Sequence, residues 1–597
     1  MKTFIRISLL LLVGAASVGQ ALDSGQTSYK PPSNKPYSPH QPSSSYGSSS
    51  HESTSSDKST FKDVAVKLPY GTVIGRSAQE IDTFNGIPFA EPPVGPLRLK
   101  PPQRIRRKLG KIDATGIAPA CPQLIMGNQS LEILENLSSS ALDSPYFHFF
   151  EGQEDCLTVS VQRPAYTKPS AKLPVLVWIY GGGFENGASR GYDGTSLLTF
   201  AKRQKQPFIY VALSYRLGGF GFLPGAEVLR DGSANLGLLD QRLALEWVAD
   251  NVEHFGGDAE KVTLWGESAG AISIVHQMAL YNGNATYKGK PLFRGGIMNS
   301  GSITAVKPID SKKPQDIYNQ VVKAAGCAKS YDTLSCLRKV DYQTLLVATS
   351  TLPGSLSFNS LALSYLPRPD GKVLSASTDA LIADNYYHAV PMIVGDQEDE
   401  GTLFSLTQQS IRTNRDFNNY LSNIFFLDAN KAQVQELINA YPSDEEGSPF
   451  RTGRAGRLYP YYKRIAALLG DVEFTLARRK FLDIATKVNP KVPAWSYIAS
   501  YNYGKPYLGT LHTSDLPVIF YNRPPSYTTD SIRHYYLNFL YNLDPNKGKG
   551  GRADWPLWKH KRLLMWFKSF SHTTYGTDNF RSCAYAVILK LWPVLRL

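Results

Sequence analysis

Cysteine is scarce in this chain, with five residues in 597 and no Cys-x-x-Cys pair, which argues against a structural zinc site. Long apolar runs are also rare. Beyond the first residues no stretch is long and apolar enough to cross a bilayer. Residues 584–597 are apolar but interrupted by Lys590, Pro593 and Arg596, so they read as a buried terminal helix rather than an anchor. Concentrated positive charge is missing too, although the formal net charge is +14. Lys and Arg cluster only at 104–111 and 559–562, and no pattern of a nucleic-acid module is present. Composition is otherwise that of a globular protein, 42% hydrophobic and 19% charged.

The beginning of the chain carries the apolar run that the rest lacks. Lys2 and Arg6 precede residues 7–18, and Gly19-Gln20-Ala21 offers small groups for cleavage, so residues 1–21 read as a secretory signal peptide. That predicts a secreted, extracellular protein in which disulfides can form. Three acceptor sequons, at Asn128, Asn136 and Asn284, fit the same route. Residues 22–60 contain no Leu, Ile, Val, Phe or Trp after Leu22. Such a Ser- and Pro-rich segment cannot bury enough apolar surface to offset its ordering entropy, and it reads as a disordered linker.

Residues 61–597 show neither a comparable break nor an internal repeat and read as one catalytic domain. Short β-rich apolar runs at 175–180, 208–214, 262–265, 296–298, 390–394 and 495–500 predict strands. Residues 235–251 have helical spacing. Strands alternating with helices predict an α/β fold, a large, mostly parallel sheet covered on both faces.

The sharpest chemical signal is Gly266-Glu267-Ser268-Ala269-Gly270, between a predicted strand and a plausible helix at 271–280. A serine hydroxyl is a weak nucleophile and must stand on a tight strand-to-helix turn where a base can reach it. Upstream, Tyr180-Gly181-Gly182-Gly183-Phe184 follows another strand. Its glycines let main-chain N–H groups crowd toward a carbonyl oxygen, so Gly182, Gly183 and Ala269 are candidates for an oxyanion hole. The Lys and Ser/Thr of a phosphate-binding loop are absent.

Residues 255–270, Phe-Gly-Gly-Asp-Ala-Glu-Lys-Val-Thr-Leu-Trp-Gly-Glu-Ser-Ala-Gly, resemble the signature of type-B carboxylesterases, the cholinesterase and fungal lipase family of α/β-hydrolases. Residues 84–90, 154–157, 235–237 and 240–242 extend the likeness from about 65 to 582. Residues 396–402 and 511–516 bring it nearest to secreted fungal members. The resemblance selects His512 as the base among ten histidines and Glu400 as the orienting carboxylate among the acids at 396–400. Read from the residues alone, those acids are equally a solvated loop, a helix start or a calcium site. The order Ser268, Glu400, His512 is that of this fold. The activity implied is hydrolysis of small-molecule or lipid esters through an acyl-enzyme on Ser268, with no cofactor and no metal. The alternative is a non-catalytic, cholinesterase-like adhesion or scaffold protein, whose relatives typically lack a triad member. Amide or lactone hydrolysis would use identical machinery.

The resemblance also implies a buried polar network of Glu267, Ser300 and Asp515, and ion pairs Arg98–Glu154 and Arg216–Asp258. It pairs Cys121 with Cys156 and Cys327 with Cys336, the longer loop contributing about 3 to 4 kcal/mol on closure. Cys583 is left over where the resemblance fades and reads as a buried thiol, with intermolecular pairing as the alternative. Between Cys121 and Cys156 lie Leu131, Ile133, Leu134 and Leu137, then Tyr146-Phe147-His148-Phe149-Phe150. Fungal lipases of this family place a mobile amphipathic lid here, active at an oil–water interface; a static covering loop is the alternative. That stretch has no Trp to hold a choline cation, which argues against acetylcholine.

Overall fold

Seven parallel strands form the centre of a sheet that has thirteen strands among the described residues, 62–125, 127, 132, 150–548 and 552–597 of a computed structural model. The signal peptide, the linker, Asn128, Asn136 and the lid segment up to residue 149 lie outside the described residues. In chain order we label the strands that position the site β1 (Leu173–Ile179), β2 (Ile209–Leu213), β3 (Gly257–Glu267), β4 (Gly295–Asn299), β5 (Met392–Gln397) and β6 (Ala494–Ala499). Across the sheet they run β2-β1-β3-β4-β5-β6, each parallel to its neighbours, followed by the seventh parallel strand, Leu563–Ser569. Antiparallel strands continue both edges. This is the α/β architecture expected from the sequence.

β2, β4, β5 and β6 are buried along their whole length, and for that reason their first residues read as apolar runs rather than as alternating ones. β3 extends well beyond the predicted core of 262–265: Gly257 already pairs with Leu173 of β1, and the register shifts over the polar residues between it and Val262. β5 begins only at Met392, after Pro391, which has no N–H to donate to the ladder. The predicted helix at 235–251 forms as Leu236–Asn251.

The C-terminal helix Ser582–Leu591 buries Ala584, Tyr585, Ile588 and Leu591. Cys583 falls on its outer face and is exposed, correcting the expectation of a buried thiol. Cys121 is bonded to Cys156, and Cys327 to Cys336. Arg98 binds Glu154 through two hydrogen bonds of 2.6 Å. Arg216, in contrast, does not reach Asp258. Its guanidinium grips the fully buried Asp240 of helix Leu236–Asn251 at 2.7 and 2.8 Å, while Asp258 pairs with Lys261 at 3.1 Å. A buried guanidinium must find a carboxylate in the interior, and Asp258 sits at the wetter start of β3. Asn284 is exposed. No helix of the described residues is long and apolar enough to cross a membrane.

Candidate active site

Ser268 is the hinge between β3, which ends at Glu267, and the helix Ala269–Gly283. Its backbone is held at φ 56°, ψ −126°, a conformation that a side chain rarely adopts. The flanking glycines make the turn possible. A Cβ on Gly270 would lie 1.9 Å from the Ile179 carbonyl oxygen, and one on Gly266 2.5 Å from the Gly270 carbonyl carbon. The adjacent strand holds the turn in place: the Ser268 N–H donates to the Asn299 carbonyl at 2.9 Å.

Ser268 lines a cavity together with Gly183, Ala269, Leu363, Phe404 and Phe474. Gly183 and Ala269, two of the predicted amide donors, are therefore on its wall. The carbonyl of the third, Gly182, accepts from the N–H groups of Glu185 and Asn186 at 3.0 and 2.9 Å. Its φ of 109° and the 2.2 Å approach of the Asn186 carbonyl to any Cβ there require glycine.

His512 and Glu400 come together from loops that follow β6 and β5. Nδ1 of His512 lies 2.5 Å from Oε2 of Glu400, and both side chains are buried completely. The other carboxylate oxygen, Oε1, accepts from the Gln397 N–H at 2.7 Å. Phe404 and Phe474, which wall the cavity at Ser268, pack on the imidazole with ring centroids 5.1 and 4.7 Å away. Nε2 of His512 stands 3.3 Å from Oε1 of Glu267.

Glu267 is fully buried, and its carboxyl is pushed well above the usual range by desolvation and by the neighbouring Asp515 and Glu400. Asp515 is pushed up to about 6, mainly by burial, with a hydrogen bond from Asn299 acting against it. Asn299 is a residue that sequence reasoning missed. Its Nδ2 donates to Asp515 Oδ2 at 2.5 Å while its Oδ1 accepts from the Tyr536 hydroxyl at 2.9 Å. Ser300, the third member of the predicted network, is buried with φ 54°, and its N–H donates to the Gly395 carbonyl at 2.7 Å.

The four acids at 396–400 do not form a cluster. Asp396 pairs with the buried Arg478 at 2.7 Å, Glu398 pairs with Arg451, and Glu400 faces His512. Asp399, also buried, accepts from the N–H groups of Thr510 and Phe450 at 2.9 Å, so it ties the loop of Glu400 to that of His512. Glu185, a second residue missed, accepts from the N–H of Ser355 on the cavity wall at 3.0 Å and is pushed up to about 8 by burial.

Arg478 sits beneath this assembly. It bridges Asp396 at the end of β5, Ser496 in β6 at 2.5 Å and Asp578 at 3.0 Å, all with essentially no exposure. Removing one member of a buried charge group strands the others. Arg478→Met is therefore expected to lower stability by about 3 to 5 kcal/mol. Chemical denaturation checks this, and a loss under about 1 kcal/mol would show that the carboxylates are neutral there.

The carboxylesterase family matches residues 62–574. The chain belongs to that family. A secreted triacylglycerol lipase of Gibberella zeae is 54% identical over 527 residues, covering 88% of this chain and 90% of that protein. A secreted lipase of Botryotinia fuckeliana is 51% identical over 545 residues, covering 90% and 94%. The crystal structure of Aspergillus niger EstA superposes with a TM-score of 0.74 at 25% identity, covering 90% of this chain and 99% of that one. This member of the carboxylesterase family is a carboxylic ester hydrolase, and the scaffold reading is not favoured.

Proposed function

We propose that this protein is a secreted lipase that hydrolyses lipid esters at an oil–water interface through an acyl-enzyme on Ser268. The observation that carries the reading is the 2.5 Å contact of Glu400 with His512 beside an apolar cavity that Ser268 lines. In this reading Nε2 of His512 takes the Ser268 proton as Oγ attacks the ester carbonyl. The N–H groups of Gly182, Gly183 and Ala269 stabilise the oxyanion. The tetrahedral intermediate then collapses and expels the alcohol, which receives the proton from His512. A water molecule, deprotonated by the same imidazole, attacks the acyl-enzyme; the acid leaves and Ser268 regains its proton. Glu400 holds the ring with its proton on Nδ1 and stabilises the imidazolium.

Secretion rests on the leader at 1–21 and on relatives named as secreted lipases. We assign 22–60 as a tether and 61–597 as the catalytic domain. Glu267, Ser300 and Asp515 serve as a supporting network, the sequons as glycosylation sites, and 121–156 as the segment carrying the lid.

Initial rates on p-nitrophenyl esters from acetate to palmitate, measured below and above each substrate's aggregation point, test the lipase reading. Long-chain rates are expected to jump at aggregation, as an interfacial lid requires. A smooth preference for short chains with no jump would replace the lipase by a simple carboxylesterase.

A further inference from the structure

Glu473 has no part in the mechanism above, yet it lies at the most consequential point of the substrate cavity. It belongs to a π-helical turn, Asp471–Thr475, between helices Tyr462–Gly470 and Leu476–Val488. A π turn inserts an extra residue and redirects side chains, and such turns recur at functional sites. Two neighbours anchor this one. Asp471 is held by Arg581 at 2.5 Å and Tyr441 at 2.9 Å, while Phe474 packs at a tilt against His512.

The Glu473 side chain thereby borders two cavities at once. One is the cavity of Ser268. The second shares Leu361 and Glu473 with it and is otherwise walled by groups such as Thr304, Phe425, Phe426 and Trp592. Among the described residues, none hydrogen-bonds the Glu473 carboxyl or pairs with it. Burial pushes it up to about 8, and the surface it retains faces the cavities.

A polar group on an apolar wall is costly to cover unless the group that covers it also satisfies it, and no side chain here does so. We propose that Glu473 is a specificity-determining residue at the neck between the two cavities, selecting acyl chains that carry a hydroxyl there over unsubstituted chains of equal length. An alkyl chain threading the neck desolvates the carboxyl and returns nothing. A mid-chain hydroxyl restores a hydrogen bond whichever protonation state the carboxyl holds, since a hydroxyl both donates and accepts. Sites built around a polar group discriminate against analogues lacking its partner more strongly than apolar pockets discriminate by size.

The proposal rests on the acyl-enzyme reading above. The test compares kcat/KM for p-nitrophenyl stearate with that for p-nitrophenyl monohydroxystearates bearing the hydroxyl at successive mid-chain positions, in wild type, Glu473→Leu and Glu473→Gln. At least one hydroxy ester is expected to exceed stearate in wild type by about tenfold. Glu473→Leu should reverse that order, and Glu473→Gln, which still donates and accepts, should keep it. Stearate equal to or better than every hydroxy ester in wild type, or an unaltered order in Glu473→Leu, overturns the proposal. If the Leu variant does not fold, the wild-type panel decides alone. Failure of the acyl-enzyme reading would look different, as wild type inactive on p-nitrophenyl butyrate or activity surviving loss of Ser268.

Discussion

Ser268→Ala is expected to reduce turnover of p-nitrophenyl butyrate by on the order of 10⁶, leaving the fold intact. The change removes one oxygen from a residue only 6% exposed, so it opens little space and adds no charge. What it removes is the atom to which the acyl group is transferred. The residual rate would be that of a site which still binds the ester and still polarises its carbonyl through Gly182, Gly183 and Ala269, about 10³ to 10⁴ over water. Thermal unfolding should coincide with that of the unaltered protein, separating lost chemistry from lost structure. The cavity offers one other serine, Ser355. If turnover persisted within tenfold of the original, the nucleophile assignment would be wrong and Ser355 would become the candidate.

Glu400→Gln is expected to cost about 10⁴ in kcat, although the side chain keeps its size and loses only its charge. The reason lies in the two contacts of the carboxylate. Oε1 accepts from the Gln397 N–H at 2.7 Å, and that main-chain donor does not rotate. A glutamine must therefore turn its carbonyl oxygen toward Gln397 and its amide nitrogen toward Nδ1 of His512. Facing a donor, Nδ1 can only accept, which forces the ring proton onto Nε2. In that tautomer Nε2 cannot take a proton from Ser268. Single-turnover kinetics on p-nitrophenyl butyrate would resolve the effect as a slow acylation step. A decrease below tenfold would mean that the imidazole is oriented by something other than Glu400.

Much of this was legible in the sequence for a physical reason. Buried parallel strands need apolar runs, and a nucleophile turn needs glycines where a Cβ would strike main chain, as at Gly266 and Gly270. Such local requirements leave marks on neighbouring residues. Asn299 and Asp399 left none, because their partners, Asp515 and Thr510, are more than a hundred positions away in the chain. The partner of Arg216 was misplaced for another reason: the resemblance offered Asp258, but the interior supplied Asp240, 24 positions along the chain. Cys583 was misjudged because an apolar neighbourhood in sequence does not say which side of a helix a residue occupies. Nothing near Glu473 in sequence announces the π turn that carries it.

The bond network of Asp399 has a consequence for how the enzyme can be broken. Because one buried aspartate joins the two loops, the acid and the base form a single mechanical part that is complete without the serine. Thermal breathing that carries Glu400 away takes His512 with it. Partial melting of this region therefore switches proton transfer off outright instead of slackening it by degrees.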